Sequence, residues 1–98
     1  MKDNNCVDTK ITGPLGIKKQ LNEIVVLDRG FVYVGQVSRQ PGCLVITNAR
    51  NIRRWGTASG LGQLALHGPT NTTKLDDCGT VVAPEKSVIH TLLCVTNW

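Results

Sequence analysis

Aromatic side chains and long apolar runs are both scarce in this sequence of 98 residues. It holds two tryptophans, one tyrosine and one phenylalanine, and no stretch approaches the roughly 18 uninterrupted apolar residues that a membrane-spanning helix needs. Residues 1–9 are polar and include two acids, which is unlike the start of a secretory signal. We therefore expect a protein that does not enter a membrane and stays in the cytoplasm.

The cysteines are too far apart to form a familiar motif. They stand at positions 6, 43, 78 and 94, and no Cys-x-x-Cys pair occurs, so the spacing excludes a zinc knuckle and a thioredoxin-like couple. We interpret all four as free thiols, with Cys43 and Cys94 in the core because they lie within apolar runs. The alternative is the disulfide framework of a small secreted domain.

Motifs for catalysis are also missing. His67 and His90 have no partner at metal-ligand spacing, and neither a Gly-x-Ser-x-Gly elbow nor a phosphate-loop lysine is present. The pair Asp76-Asp77 precedes Cys78-Gly79 in a cluster typical of a turn. We therefore predict a protein that is not an enzyme, with no metal site and no cofactor.

The charges are unevenly distributed. The net charge is +4, yet residues 29–74 contain six Lys or Arg and no Asp or Glu. Charge of one sign in the middle of a small domain favours an anionic partner. The length allows one compact domain with one modest core, which we place at residues 21–98. Residues 1–20 are polar and broken by glycine and proline, and we predict that they form an arm that is flexible or ordered by a partner.

Short apolar stretches with β-branched residues predict strands. The clearest lie at 23–28, 31–38, 43–47 and 87–97, and a turn at 40–42 joins the second and third into a hairpin. Residues 48–55 extend the third strand or begin another. Several of these strands are apolar on both faces, so something must cover each side.

One helix interrupts the strands. Ser59 is a candidate cap, Leu61, Leu64 and Ala65 recur at helical spacing, and Gly68 ends the element. The predicted fold is therefore mainly β, in the α+β sense: a small, bent antiparallel sheet or partly open barrel with one short inserted helix.

A candidate phosphate site lies at residues 49–62, where arginines and an indole precede a glycine-rich helix start. Guanidinium groups bind phosphate through paired hydrogen bonds, an indole stacks on a base, and glycines let phosphate approach the backbone. We expect these groups to converge on one cavity, closed by residues of the following polar loop. The predicted ligand-binding residues are Arg50, Arg53, Arg54, Trp55, Gly56, Thr57, Ser59, Gly60, Asn71 and Thr72.

In that set, the arginines neutralise phosphate, Trp55 stacks or walls the pocket, and the glycines and hydroxyls before the helix supply donors. Asn71 and Thr72 close over the ligand. The alternative interpretation is structural: the glycines form a tight turn, Trp55 belongs to the core, and Arg53 and Arg54 lie on a solvated edge.

The runs 30–35, 44–50, 54–56 and 60–68 also resemble a group of small phage and prophage proteins, with a match over about residues 24–95. The functional relative is the first type of Thoeris anti-defence family. The resemblance implies a phage-type protein that sequesters a cyclic nucleotide immune signal in the bacterial host cytosol without hydrolysing it. It also implies a homo-oligomer, a dimer or an assembly of dimers, with the ligand between subunits. The ligand would be a cyclic ADP-ribose isomer or a cyclic oligonucleotide.

Two other functions remain open from the sequence. The same arginines, with the lysines of the arm, suit a small basic module that tracks a nucleic-acid backbone. Few aromatics and no long basic helix argue against base stacking along a single strand and against entry into a major groove. A structural or interaction protein of a phage or prophage is the third possibility, because it requires no ligand.

Overall fold

The chain forms one antiparallel sheet and one helix in a computed structural model, which describes residues 21–96 and 98. The sheet does not close into a barrel, and the mainly β prediction is confirmed. The predicted arm at 1–20 lies outside the described residues. The elements are β1 (Glu23–Leu27), β2 (Val32–Gln40), β3 (Cys43–Arg54), α1 (Leu61–His67), β4 (Lys74–Pro84) and β5 (Val88–Leu93), with short 3-10 turns at Asp28–Gly30 and Glu85–Ser87.

The strands lie in the order β4-β3-β2-β1-β5, and every neighbouring pair is antiparallel. The two edges of the sheet are therefore β4 and β5. The predicted turn at 40–42 and the hairpin it joins are present as β2 and β3. Residues 48–54 extend β3 and do not start a separate strand.

Both faces of the sheet carry a hydrophobic cluster, as the apolar strands predicted. Because side chains alternate across a strand, Ile24 and Val34 belong to one cluster, and Val25 and Val37 belong to the other. The helix α1 covers the first cluster through Leu61, Leu64 and Ala65, and Cys94 joins it. The second cluster is formed by Val25, Leu27, Val37, Leu44, Ile46, Ala49 and Ala83.

A bulge in β3 lies opposite Gly35 of β2. The register shifts between Val34 and Gln36, where the single residue Gly35 faces two residues of β3, Asn48 and Ala49, so β3 carries the extra residue. A Cβ atom at Gly35 would lie 2.7 Å from the carbonyl oxygen of Thr47 and 2.8 Å from Cγ2 of Ile46. A residue without a side chain is therefore required at this position.

Two local predictions were wrong. The cluster at 76–79 is not a turn but part of β4, where Asp77 pairs with Arg50 and Gly79 with Ala49. An edge strand forms a ladder on one side only, so it tolerates residues that disfavour strands. The helix cap is Gly60 and not Ser59. The predicted stop at Gly68 is confirmed, since its N–H donates to the Leu64 carbonyl at 2.8 Å.

The cysteines differ from the prediction at one position. Cys78 is an exposed free thiol and Cys94 a buried one, and burial raises the pKa of Cys94. Cys43 is buried as expected, but it is disulfide-bonded, so the expectation of a free thiol there was wrong. Cys6 lies outside the described residues.

The crowding at Gly35 gives a testable prediction. Gly35→Ala should lower the free energy of unfolding by about 1–3 kcal/mol, because the added methyl group collides with β3. The matched control is Gly62→Ala in α1, where a Cβ meets nothing within 4 Å; it should stabilise the protein by about 0.5–1 kcal/mol. Urea denaturation at constant m measures both. Equal effects of the two substitutions would contradict the close approach of β2 and β3.

An ion pair ties β1 to β2. The carboxylate of Glu23 is buried and accepts hydrogen bonds from both terminal nitrogens of Arg39, one of them at 3.1 Å. Burial raises the pKa of Glu23, but hydrogen bonds from Arg39 and Thr91 and the charge of Arg39 bring the net pKa below its ordinary value. The folded state therefore favours the ionised carboxylate.

Replacing Arg39 should lower the free energy of unfolding at neutral pH more than at acidic pH. Since the folded-state pKa of Glu23 is lowered, its contribution is present at neutral pH and is lost as the pH falls through that pKa. At about pH 7, Arg39→Gln should lose about 1–3 kcal/mol, toward the lower end because the guanidinium is half exposed. The deficit relative to wild type should shrink toward about pH 3. Urea titrations measure it, with the exposed Arg29→Gln as control, and a deficit independent of pH would contradict the ion pair.

Candidate anion-binding site

The arginines of the predicted site do not share one cavity. Arg50 is half-buried, and its guanidinium carbon lies 5.6 Å from the centroid of the Trp98 ring. Arg53 is exposed and pairs with Asp76. Alternation along β3 sends residues 50 and 53 to opposite faces of the sheet. The expected convergence of these two arginines is therefore not seen.

Arg50 lines a hollow of about 430 Å³ together with Asn22, Asn48, Asp77 and Trp98. Its guanidinium donates to the main-chain oxygen of Trp98. The side-chain amide of Asn22 donates to the same oxygen at 2.8 Å. Arg50 therefore holds Trp98 against the sheet, and Asp77, its register partner on β4, lines the same hollow.

Arg53 lines a second hollow, of about 470 Å³, whose walls include Phe31, Tyr33 and Asn51. Its Nε lies 2.8 Å from Oδ2 of Asp76, and a terminal nitrogen lies 3.4 Å from Oδ1. This two-point contact neutralises the guanidinium locally. The hollow is therefore balanced in charge and does not by itself attract an anion.

Arg54 has a different environment. It stands at the end of β3, and its register partner on β4 is Lys74. Both side chains are exposed, and neither forms a salt bridge or hydrogen bond with any residue among 21–96 and 98. Like charges on directly opposite residues repel, which destabilises a strand pair. We call this pair the basic end of the sheet; an anion bound between its two side chains would remove the repulsion.

Trp55 extends the basic end. It follows Arg54 directly and is 43% exposed, so the core interpretation of its indole does not hold. Lys74 was missed by sequence reasoning because it lies twenty positions away from Arg54 in the chain. The only signal was its place as the first charge after the polar loop. The basic end and the adjacent Trp55 thus combine two predicted residues, Arg54 and Trp55, with Lys74, which was not predicted.

The polar loop after the helix is bound to the turn that follows β3. The hydroxyls of Thr70 and Thr72 donate to the Gly56 carbonyl at 2.7 and 3.2 Å, and the Thr73 hydroxyl donates to the Trp55 carbonyl at 2.8 Å. Gly56 has φ +67°, and a Cβ there would lie 2.6 Å from backbone atoms of residues 72 and 73. The loop therefore supports the turn that carries Trp55, and Thr72 is engaged in that contact.

Three donors near the helix start already have partners within the protein. The N–H groups of Ala58 and Ser59 donate to Oε1 of Gln63 at 3.2 and 3.0 Å. The Thr57 hydroxyl donates to the Gly60 carbonyl at 2.9 Å. Asn71 is exposed and makes no side-chain hydrogen bond within the described part of the chain. The ligand roles of these residues stay predictions.

The part of the chain that the structure describes has neither a metal-binding cluster nor a membrane-spanning helix. No three side chains of His, Cys, Asp or Glu come together there as a metal ion would require. None of its helices has the length and apolar character needed to cross a membrane. The basic end is therefore the feature of these residues that points most directly to a ligand.

The loop contacts give a second kind of test. The Thr70 hydroxyl donates to Gly56 and accepts from the N–H of Thr72 at 3.1 Å. Thr70→Val should therefore lower the free energy of unfolding by about 0.5–1.5 kcal/mol, since it removes both hydrogen bonds and leaves the N–H of Thr72 without its acceptor in the loop. Asn71→Ala, next along the loop, should change it by less than about 0.5 kcal/mol. Thermal or urea unfolding measures both variants. An equal loss of unfolding free energy in the two would show that the loop is not held through Thr70.

Comparisons with known proteins assign no family to this chain. No protein-family model matches it, and neither a curated protein sequence nor a solved structure is significantly similar to it.

Proposed function

We propose that this protein binds a small anionic nucleotide and sequesters it without chemical change. One observation carries the proposal: Arg54 and Lys74 are register partners across β3 and β4, exposed and without an acidic partner among the described residues, and the exposed Trp55 follows Arg54 in the chain. A pair of like charges reduces the stability of the sheet. An anion held by both side chains would remove this repulsion, so the loss of stability in the free protein would be recovered when the anion binds.

The parts of the basic end suit a nucleotide. A guanidinium offers a planar fork of donors to phosphate oxygens, and an ammonium adds a compact second charge. The indole offers a face on which a base stacks, a contact worth about 1–3 kcal/mol. The hydroxyl of Thr73 anchors the main chain of Trp55 through its carbonyl, so the residue that carries the stacking surface is fixed to the polar loop before the ligand arrives.

The resemblance specifies the ligand class within this proposal. It favours a cyclic nucleotide immune signal, a cyclic ADP-ribose isomer or a cyclic oligonucleotide, bound by a phage-type protein in the cytosol of the bacterial host. The same proposal includes a homo-oligomer. Exposed apolar side chains on the described surface support self-association, since contiguous patches of this kind mark interaction sites.

A nucleic-acid-binding module is the second candidate. It is favoured by the exposure of Arg54 and Lys74, because a long nucleic-acid chain needs an open surface and not an enclosed pocket. The two candidates respond differently to salt. Backbone binding releases counterions for every phosphate contacted, so its affinity falls steeply as the salt concentration rises, whereas a ligand held by two cations depends on salt only weakly.

The decisive substitution reverses one charge of the pair. Lys74→Glu should weaken nucleotide binding by at least about tenfold, because one charged contact is lost and a repulsive one is gained. It should also raise the free energy of unfolding by about 0.2–1 kcal/mol, because the introduced carboxylate would face Arg54 as an opposite charge. Calorimetry with cyclic ADP-ribose isomers and cyclic di- and trinucleotides measures the first effect, and urea denaturation the second.

The matched control is Lys86→Glu, which changes the net charge equally at an exposed lysine of the 3-10 turn after β4. It should bind as wild type does. Binding that survives Lys74→Glu would contradict the basic end as the site. If no nucleotide binds the wild type but short single-stranded RNA or DNA does, with a steep salt dependence, the second candidate replaces the first. If neither the nucleotides nor the single-stranded RNA or DNA bind measurably, a structural role would be favoured.

A further inference from the structure

The outer edge of β5 is apolar and open. Five of the eight large apolar side chains that are exposed in the described residues lie on or beside this strand: Leu21, Leu66, Ile89, Leu93 and Val95. Two hydrogen bonds attach the segment before β1 and the helix α1 to the residues that follow β5. The N–H of Cys94 donates to the Asn22 carbonyl at 3.0 Å, and that of Val95 donates to the Ala65 carbonyl at 2.9 Å. We call these five residues the β5 strip.

Exposure of the β5 strip is large. Leu93 is 74% exposed, Ile89 62% and Val95 60%. The strand itself, Val88–Leu93, carries no Asp, Glu, Lys or Arg. Its outer main-chain groups have no strand partner in the described part of the chain, because β1 is its only neighbour there. An edge with these properties is a template for another strand.

The opposite edge, β4, carries charges and a more irregular backbone. Strand β4 carries Lys74, Asp76 and Asp77, and its pairing with β3 shifts register three times. Gly79 within it has φ +76°, and Pro84 ends it. Charges, irregular backbone and proline are the devices by which sheet edges avoid pairing with other chains. Strand β4 carries all three, whereas β5 has no Asp, Glu, Lys, Arg or Pro and a single register shift, at Ile89.

We propose that β5 binds β5 of a second copy of this chain, antiparallel and about a two-fold axis. Two identical antiparallel strands can pair symmetrically, since a two-fold interface sets the same patch against itself. The pairing satisfies the outer main-chain groups of both strands and brings the β5 strips of the two copies together. The absence of charge on the strand favours another copy over an ionic partner. The result is a continuous sheet of ten strands.

This arrangement deepens the homo-oligomer of the proposed function, but it is independent of the ligand. The basic end lies on β3 and β4, at the other end of the strand order from β5. A dimer joined through β5 therefore carries its two basic ends at opposite ends of the shared sheet. Each copy would bind nucleotide without residues from the other, unlike the sites between subunits that the resemblance implies.

The test compares edge variants by light scattering coupled to gel filtration. The wild type should have twice the mass of a 10.6 kDa chain, and Leu93→Lys and Ile89→Lys should each elute as monomers with an unchanged circular dichroism spectrum. Val82→Lys is the control, because Val82 is an exposed apolar residue of β4; it should stay dimeric. A monomeric wild type, or dimers that persist in both β5 variants, would overturn the proposal. So would dissociation of Val82→Lys, which would indicate head-to-tail pairing of β4 with β5.

Nucleotide calorimetry on the same proteins separates this inference from the ligand proposal. Monomeric Leu93→Lys should bind as the wild type does, while Lys74→Glu should be dimeric and deficient in binding. A Leu93→Lys monomer that has lost binding would show that the site needs both copies, and would overturn the independent sites described above.

Discussion

The structure depends on a small sheet that is apolar on both faces. A five-stranded sheet has no interior of its own, so each face must be covered by another part of the molecule. The helix α1 and Cys94 cover one face. On the other face, side chains from β1, β2, β3 and β4 pack on one another. Gly35, opposite the bulge of β3, belongs to this same constraint, because the close approach of β2 and β3 leaves no room for a side chain there.

Strand alternation then determines what the positive charges can do. Three arginines within five positions of β3 look like one cluster in the sequence, but the strand gives them three different environments. Arg50 holds Trp98, Arg53 is paired with Asp76, and Arg54 meets Lys74. The last pairing sets two exposed positive charges against each other, with no salt bridge to either among the described residues. The proposed binding function therefore rests on the end of the strand and not on its middle.

The open sheet also keeps two surfaces apart. Its strand order places the basic end and the β5 strip at opposite edges. One edge carries charge and an irregular backbone, and the other carries apolar side chains. An anion and a second copy of the chain can therefore be recognised by separate surfaces.

The sequence alone determined the mainly β character of the fold, the helix and every strand except most of β4, because strand and helix periodicity, the turn at Gly42 and the stop at Gly68 depend on neighbours in the chain. It did not determine which charges meet. The pairing of Arg54 with Lys74, the inclusion of Asp76 and Asp77 in β4 and the disulfide bond of Cys43 depend on contacts between distant segments or on strand register. Those contacts are set by the packing of both faces of the sheet, and only the tertiary structure decides them.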